Sequence, residues 1–255
     1  MRLGIVTYQI AANLDLTSLI ELCHQTRMEG LELRTTHAHG VEPSLKRAER
    51  GAVKEQISET GLVLWGLGTT CEYDNPDPEI VRQNIEQTLE FVDLAAALGA
   101  RGVKVRPNHL HEQEGVPVAE TLKQIGLALR ECGPAADKAG VEIWLEVHGA
   151  GTSLPRHIAT IMRHCNHPRV GVCWNSNPTD VENGSIAENF KRLQPWIRSV
   201  HITELWRSDY PWCELFALLA RMDYRGFTLA EIPSSPEPER LLHYYRALWQ
   251  ELTRS

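Results

Sequence analysis

Five times along this chain a helical pattern stops at a glycine and a short apolar run follows. Gly30 precedes LELRT, Gly61 precedes LVLWGL, Gly99 and Gly102 flank the start of VKVRP, Gly140 precedes VEIWLEVH, and Gly226 precedes FTLAEI. Glycine tolerates the left-handed conformation just past a helix end, so each is expected to cap a helix at a helix-to-strand junction. The runs RLGIVTY, RVGVCWN and RSVHIT bring the strand candidates to eight. Amphipathic stretches lie between them. One opens at Asp77-Pro78-Glu79 and sets Ile80, Val81, Ile85, Leu89 and Val92 at helical spacing.

Eight such units in 255 residues allow about 32 residues each, close to what a (β/α)8 barrel needs. A doubly wound open sheet is the competing arrangement, but no G-x-G-x-x-G follows the first strand, and regular units suit closure better. The predicted fold class is therefore α/β, a single (β/α)8 TIM barrel over residues 1–255 with no linker interrupting the series.

Hydrophobic residues at 42% and charged residues at 23% are proportions of a folded globular protein. The net charge is −7 and the basic residues are scattered, which argues against a nucleic-acid partner. The opening MRLGIVTYQIAANLD imitates a short signal peptide, but Thr7, Gln9 and Asp15 break the run, so a first strand is expected. No segment approaches the length of a membrane span. Cys23, Cys71, Cys132, Cys165, Cys173 and Cys213 form no CxxC pair and read as buried thiols in a reducing compartment, which predicts a cytoplasmic location.

Side chains alternate along a strand, so in the fifth strand Val141, Ile143 and Leu145 are expected to face the helices while Glu142, Trp144, Glu146 and His148 face the interior. Carboxylates inside a barrel are costly unless paired, protonated or bound to a cation. A solvated strand end would also account for Glu146 and His148 taken alone. Similar residues recur, however, at the C-terminal ends of the next strands, the face that carries catalysis in such barrels: Asn175 after the sixth, His201 on the seventh, Glu231 after the eighth. Two carboxylates, an imidazole and an amide carbonyl suit one divalent cation such as Mn2+, Mg2+, Co2+ or Zn2+.

The segments GLELR, GLGTTCEYDNPDPE, FVDLAAALGARGVKV, WLEVHG, VGVCWN, SVHI and TLAEIP, taken in order, resemble the xylose isomerase-like barrels of sugar and sugar-phosphate isomerases and epimerases. The resemblance implies metal ligands at Glu146, Asn175, His201 and Glu231. It departs from the family at Asn175, where an Asp is usual, and at Pro178, where many members carry a His. An Asn carbonyl can still reach a metal, but the ligand set then brings two negative charges instead of three, so weaker metal binding is expected. Ser176 to Thr179 read as loop. The resemblance further implies that Glu146 and Glu231 act as catalytic base and acid in α-proton transfer through an enediolate, and that Arg207 matches an arginine reaching substrate oxygens.

Other residues leave two readings open. Glu32 and Arg34, with Lys104 and Arg106, either contact substrate hydroxyls or form ion pairs across the barrel. His148 joins Glu32 and Lys104 as a candidate substrate contact. Trp65, Trp144, Trp174 and Trp206 either stack on a sugar or fill the core, Trp206 being taken as a substrate contact. His37, His39, His109 and His111 read as solvated loop histidines, and Cys71–Glu79 as a lid. Ser234 and Ser235 open the last helix where barrels often hold phosphate, so a sugar phosphate stays open beside a free sugar.

The expected function is a metal-dependent sugar or sugar-phosphate isomerase or epimerase, with a small-molecule partner, no nucleic acid, no membrane and a possible homo-oligomer. The alternatives are an inosose-type polyol dehydratase on the same barrel, an endonuclease acting at abasic DNA sites, and a non-catalytic barrel that binds a sugar or partner. Pro178 and the lack of a D-x-H element after the seventh strand count against the nuclease.

Overall fold

Parallel strands whose two faces are both covered read as nearly continuous apolar runs, and that is how these segments assemble. In the computed structural model, which describes residues 1–254, the strands are β1 (Arg2–Val6), β2 (Gly30–Arg34), β3 (Val63–Glu72), β4 (Gly102–Arg106), β5 (Glu142–Glu146), β6 (Val170–Trp174), β7 (Ile197–Ile202) and β8 (Phe227–Ala230). They pair in sequence order, all parallel, and β8 closes on β1 in the register Arg2 to Phe227 and Leu3 to Thr228. The helices α1 (Leu16–Thr26), α2 (Arg47–Ser58), α3 (Pro78–Leu98), α4 (Val118–Ala139), α5 (Pro155–Cys165), α6 (Ala187–Leu193), α7 (Trp212–Arg221) and α8 (Pro238–Leu252) form the outer layer. The expected (β/α)8 barrel is the fold.

The lower half of the barrel is plugged by aromatic rings. Trp65 stacks on Trp144 with centroids 5.5 Å apart and lies 5.2 Å from Phe227. The Trp144 indole donates to Glu142 at 2.9 Å, and that of Trp65 to Ser199 at 3.1 Å. These tryptophans are core filling and lie below the strand ends where a sugar would stack. They fit because the neighbouring strands carry glycine: a Cβ on Gly102 would come within 2.4 Å of the Trp144 ring, and one on Gly30 within 2.4 Å of Phe227.

This corrects the reading of the glycines. Gly99 and Gly140 cap α3 and α4 with φ of 80° and 70°, as expected. After α1 the left-handed cap is Arg27 at φ 56°, whereas Gly30 and Gly102 are strand residues kept small by the rings beside them. Gly226 likewise abuts the Tyr224 ring and caps no helix. Asp77 caps α3 through Glu79 N at 2.9 Å, and Val81, Ile85 and Val92 are buried, while Ile80 is exposed.

Two further expectations are revised. Cys71–Glu79 is fastened rather than poised to move: Tyr73 is fully buried and hydrogen-bonded to Thr88 at 2.6 Å, and Gln124 donates to the carbonyls of Tyr73 and Asn75, each at 2.8 Å. An aromatic ring that large anchors the segment against α3 and α4. Five of the cysteines are buried, but Cys213 is exposed near the start of α7. Among the described residues no helix is long and apolar enough to cross a membrane.

Replacing Gly102 with Ala is expected to destabilise the protein by about 1–3 kcal/mol, because neither backbone nor indole can yield. Gly51→Ala in α2, where a Cβ meets nothing within 4 Å, should stabilise by about 0.5–1 kcal/mol. Denaturant titration of both variants checks the contrast; equal effects would contradict it.

Candidate active site

Above the tryptophans, the strand ends turn polar. Glu146 ends β5, Asn175 follows β6, His201 lies on β7 and Glu231 follows β8. His201 is wholly buried, with Nδ1 3.6 Å from Glu146 Oε1 and 3.4 Å from Glu231 Oε2. Its Nε2 lies 3.1 Å from Glu32 Oε2. A carboxylate only accepts, so Nε2 carries the proton and Nδ1 is left to face the two glutamates.

Lys104 on β4 reaches Glu146 Oε2 at 2.6 Å, with both side chains shut off from water. Burial alone would raise the Glu146 carboxyl, but the Lys104 ammonium and His201 hold it well below the usual carboxylate range. Burial likewise works against protonation of His201, yet Cys173, Glu32 and Glu231 together lift it well above the ordinary imidazole value, so Nδ1 also holds a proton until a cation displaces it.

The donor set fits a cation. Glu146, His201 and Glu231 offer ligand atoms within 4.8 Å of one another. His201 Nδ1 and Asn175 Oδ1 are both buried without a hydrogen-bond partner, and a cation between these strand ends would satisfy them. The bond from His201 Nε2 to Glu32 is the outer-shell contact that fixes a ligating imidazole in one tautomer and orientation.

Glu146, Asn175 and Glu231 border a pocket of about 380 Å³ at the C-terminal mouth of the barrel, lined also by Lys104 and His148. A larger groove of about 790 Å³ runs between α1 and α8, but it lies outside the barrel and holds none of the strand-end donors. The loop after β6 is locked in place. Ser176, at φ 49°, donates to the His201 carbonyl at 2.9 Å, and Asp180 accepts from Asn177 N at 2.7 Å and from Tyr210 at 3.1 Å. Burial pushes the Asp180 carboxyl up to about 7. Trp174 donates to the same Tyr210 hydroxyl at 2.9 Å, so it too is core.

The structure brings some predicted residues together and separates others. Lys104 and His148 line the pocket; Glu32 sits beneath it, fully buried, as the support of His201 instead of a substrate contact. Trp206 is 73% exposed and Arg207 is paired with Asp209, both in a separate groove beside α7. The turn after β7 points them away from the pocket, and an acid two residues on neutralises the arginine. His39 is buried, bonded to the Arg34 carbonyl at 2.8 Å and to Val41 N at 3.0 Å, so it is no solvated histidine. Ser235 Oγ accepts from Glu237 N at 3.1 Å, within its own turn. Sequence reasoning missed Tyr8, Gln9 and Asn177 as pocket walls; Tyr8 and Gln9 directly follow the first strand, the one usable signal.

A closed parallel barrel with carboxylates and an imidazole gathered on its C-terminal face is an enzyme-type (β/α)8 scaffold. The model of the xylose isomerase-like TIM barrels matches residues 20–248, and the chain belongs to that family. No curated protein matches it in sequence. Similar solved structures include D-psicose 3-epimerase with D-tagatose from Clostridium cellulolyticum H10, at 15% identity and TM-score 0.82 over 100% of this chain and 98% of that one. Another is the 3-keto-D-glucoside 4-epimerase of E. coli, at 16% and 0.80 over 100% of each chain. A third is the IolI protein with a bound zinc atom, at 18% and 0.75 over 99% and 96%. Identity this low speaks for the fold.

Lys104→Met would leave Glu146 as a buried charge without its ammonium. Stability in chelator should fall by about 3–5 kcal/mol, and Mn2+ should stabilise the variant more than the parent. Denaturant unfolding with EDTA and with Mn2+ measures both; unchanged stability in EDTA would contradict the pairing.

Proposed function

We propose that the protein is a metal-dependent sugar or sugar-phosphate isomerase or epimerase that works by α-proton transfer. The observation that carries this reading is the meeting of two carboxylates, Glu146 from β5 and Glu231 beyond β8, at one imidazole nitrogen of His201. Two of the similar structures are sugar epimerases and a third holds a zinc atom, which supports the same reading.

A bound divalent ion would polarise a ketose carbonyl and acidify the adjacent C–H. Glu146, kept ionised by Lys104, and Glu231, which is more open at 17% side-chain exposure, are the two groups able to hold the α-proton. One, ionised, removes it to leave an enediolate; the other, entering protonated, returns a proton to the opposite face, which inverts the carbon, or a proton goes to the former carbonyl carbon while the hydroxyl proton passes to the former carbonyl oxygen, which moves the carbonyl. Glu32 keeps His201 in a single orientation throughout. Lys104, beside Glu146, offers a positive charge where the enediolate becomes negative.

The test is exchange of ketose α-protons with D2O, followed by NMR. Glu146→Gln and Glu231→Gln should each slow exchange by about 100- to 10,000-fold while leaving the circular dichroism unchanged. Exchange at the parental rate in both variants would overturn the reading.

A further inference from the structure

The charge lining the pocket is more positive than a neutral sugar requires. Arg34, Lys104 and Arg106 end or approach the ends of β2 and β4 and all border the cavity. Lys104 is engaged by Glu146, and Arg106 donates to Glu72 through Nη2. Arg34 is different: among the described residues it forms no ion pair, and its guanidinium donates only to the neighbouring Thr35 carbonyl at 3.1 Å. Its guanidinium carbon sits 5.7 Å from the centre of the ring of Tyr8, another residue of the pocket wall.

Arg106 is also incompletely satisfied. Its Nε is buried and has no hydrogen-bond partner, although Glu72 takes one end of the guanidinium. A buried N–H on a cation is an expensive group to leave unmatched, and a ligand oxygen is the simplest partner. Burial lowers the Arg34 guanidinium, and the nearby Arg106 charge lowers it further, so the two cations repel one another across the gap. On β2 to β4, Arg34, Lys104 and Arg106 supply three positive charges against two from Glu32 and Glu72. The surplus lies on the β2 to β4 side, away from the proposed metal ligands on β5 to β8.

We propose that the substrate carries an anionic group, carboxylate or phosphate, and that Arg34 and Arg106 bind it at the pocket mouth. The ketose part of that substrate rests on the isomerase or epimerase reading; the anion site does not. The serines that open α8 are not the site, since Ser235 is spent on its own turn and neither serine lines the pocket that Arg34 and Arg106 border. Planar guanidinium groups suit both carboxylate and phosphate, because two parallel N–H bonds match two oxygens of either.

The experiment compares D-fructose, D-fructose 6-phosphate and 5-keto-D-gluconate by calorimetry on the Mn2+-loaded protein, with α-proton exchange in D2O recorded for each. At least one anionic probe should bind about 10- to 100-fold more tightly than D-fructose, and which one does so separates phosphate from carboxylate. Arg34→Gln and Arg106→Gln should each collapse that ratio, and Arg34→Lys should recover part of it. A ratio near one in the parent, a ratio that survives in both Gln variants, or no binding of any probe overturns the anion site. Anion preference without exchange of any ketose upholds the site and overturns the isomerase reading. Equal exchange of neutral and charged ketoses does the reverse.

Discussion

Inside this barrel a lysine ammonium and a glutamate carboxylate lie 2.6 Å apart, closed to water, and the polar centre is arranged around them. Neither charge would be tolerated there alone. Together they hold Glu146 ionised next to His201, which Glu32 orients from below and Glu231 meets from the other side. The pair can exist only because the Trp65, Trp144 and Phe227 rings seal the bottom of the barrel, and those rings fit only because the strands beside them carry glycine. A packing constraint at one end of the barrel thus sets the dielectric of the site at the other.

The same dependence explains which features could be read from residues in a line. Strand alternation made Glu146 visible, and the ends of apolar runs made Asn175, His201 and Glu231 visible, because period and position are properties of the sequence itself. The role of Gly30 and Gly102 was not visible. Their neighbours Phe227 and Trp144 are distant in sequence and meet them only after closure. Arg207 is the opposite case: the resemblance suggested the pocket, while the structure pairs it with Asp209, two residues on. His39 looked like a loop residue, and its burial follows from a loop that folds back on the Arg34 carbonyl. Of the substrate contacts expected, Lys104 and His148 reach the pocket wall because they sit on or directly after strands, whereas Trp206 lies on a turn.

Asn175 distinguishes this site from the pattern its sequence resembles. The loop that carries it is tied down by Ser176, Asn177 and the Asp180 to Tyr210 contact, so the residue is positioned with care although it brings no charge. Lys104 adds a positive charge to the same cluster. Both features lower the attraction for a cation at the β5 to β8 strand ends, and the arginines of β2 and β4 raise the attraction for an anion across from them. The two halves of the pocket are electrostatically unlike, which suits a substrate whose reacting carbonyl and charged end are separate.

We propose that these strand ends hold one divalent ion with Asn175 as a neutral ligand. Calorimetric titration of chelator-stripped protein with Mn2+, run beside Asn175→Asp, tests it most directly. The parent should bind about one ion, and binding should be roughly 10-fold tighter or more once the carboxylate is present. No binding by the parent, with binding restored by Asn175→Asp, would contradict it and mean that the site has lost its metal.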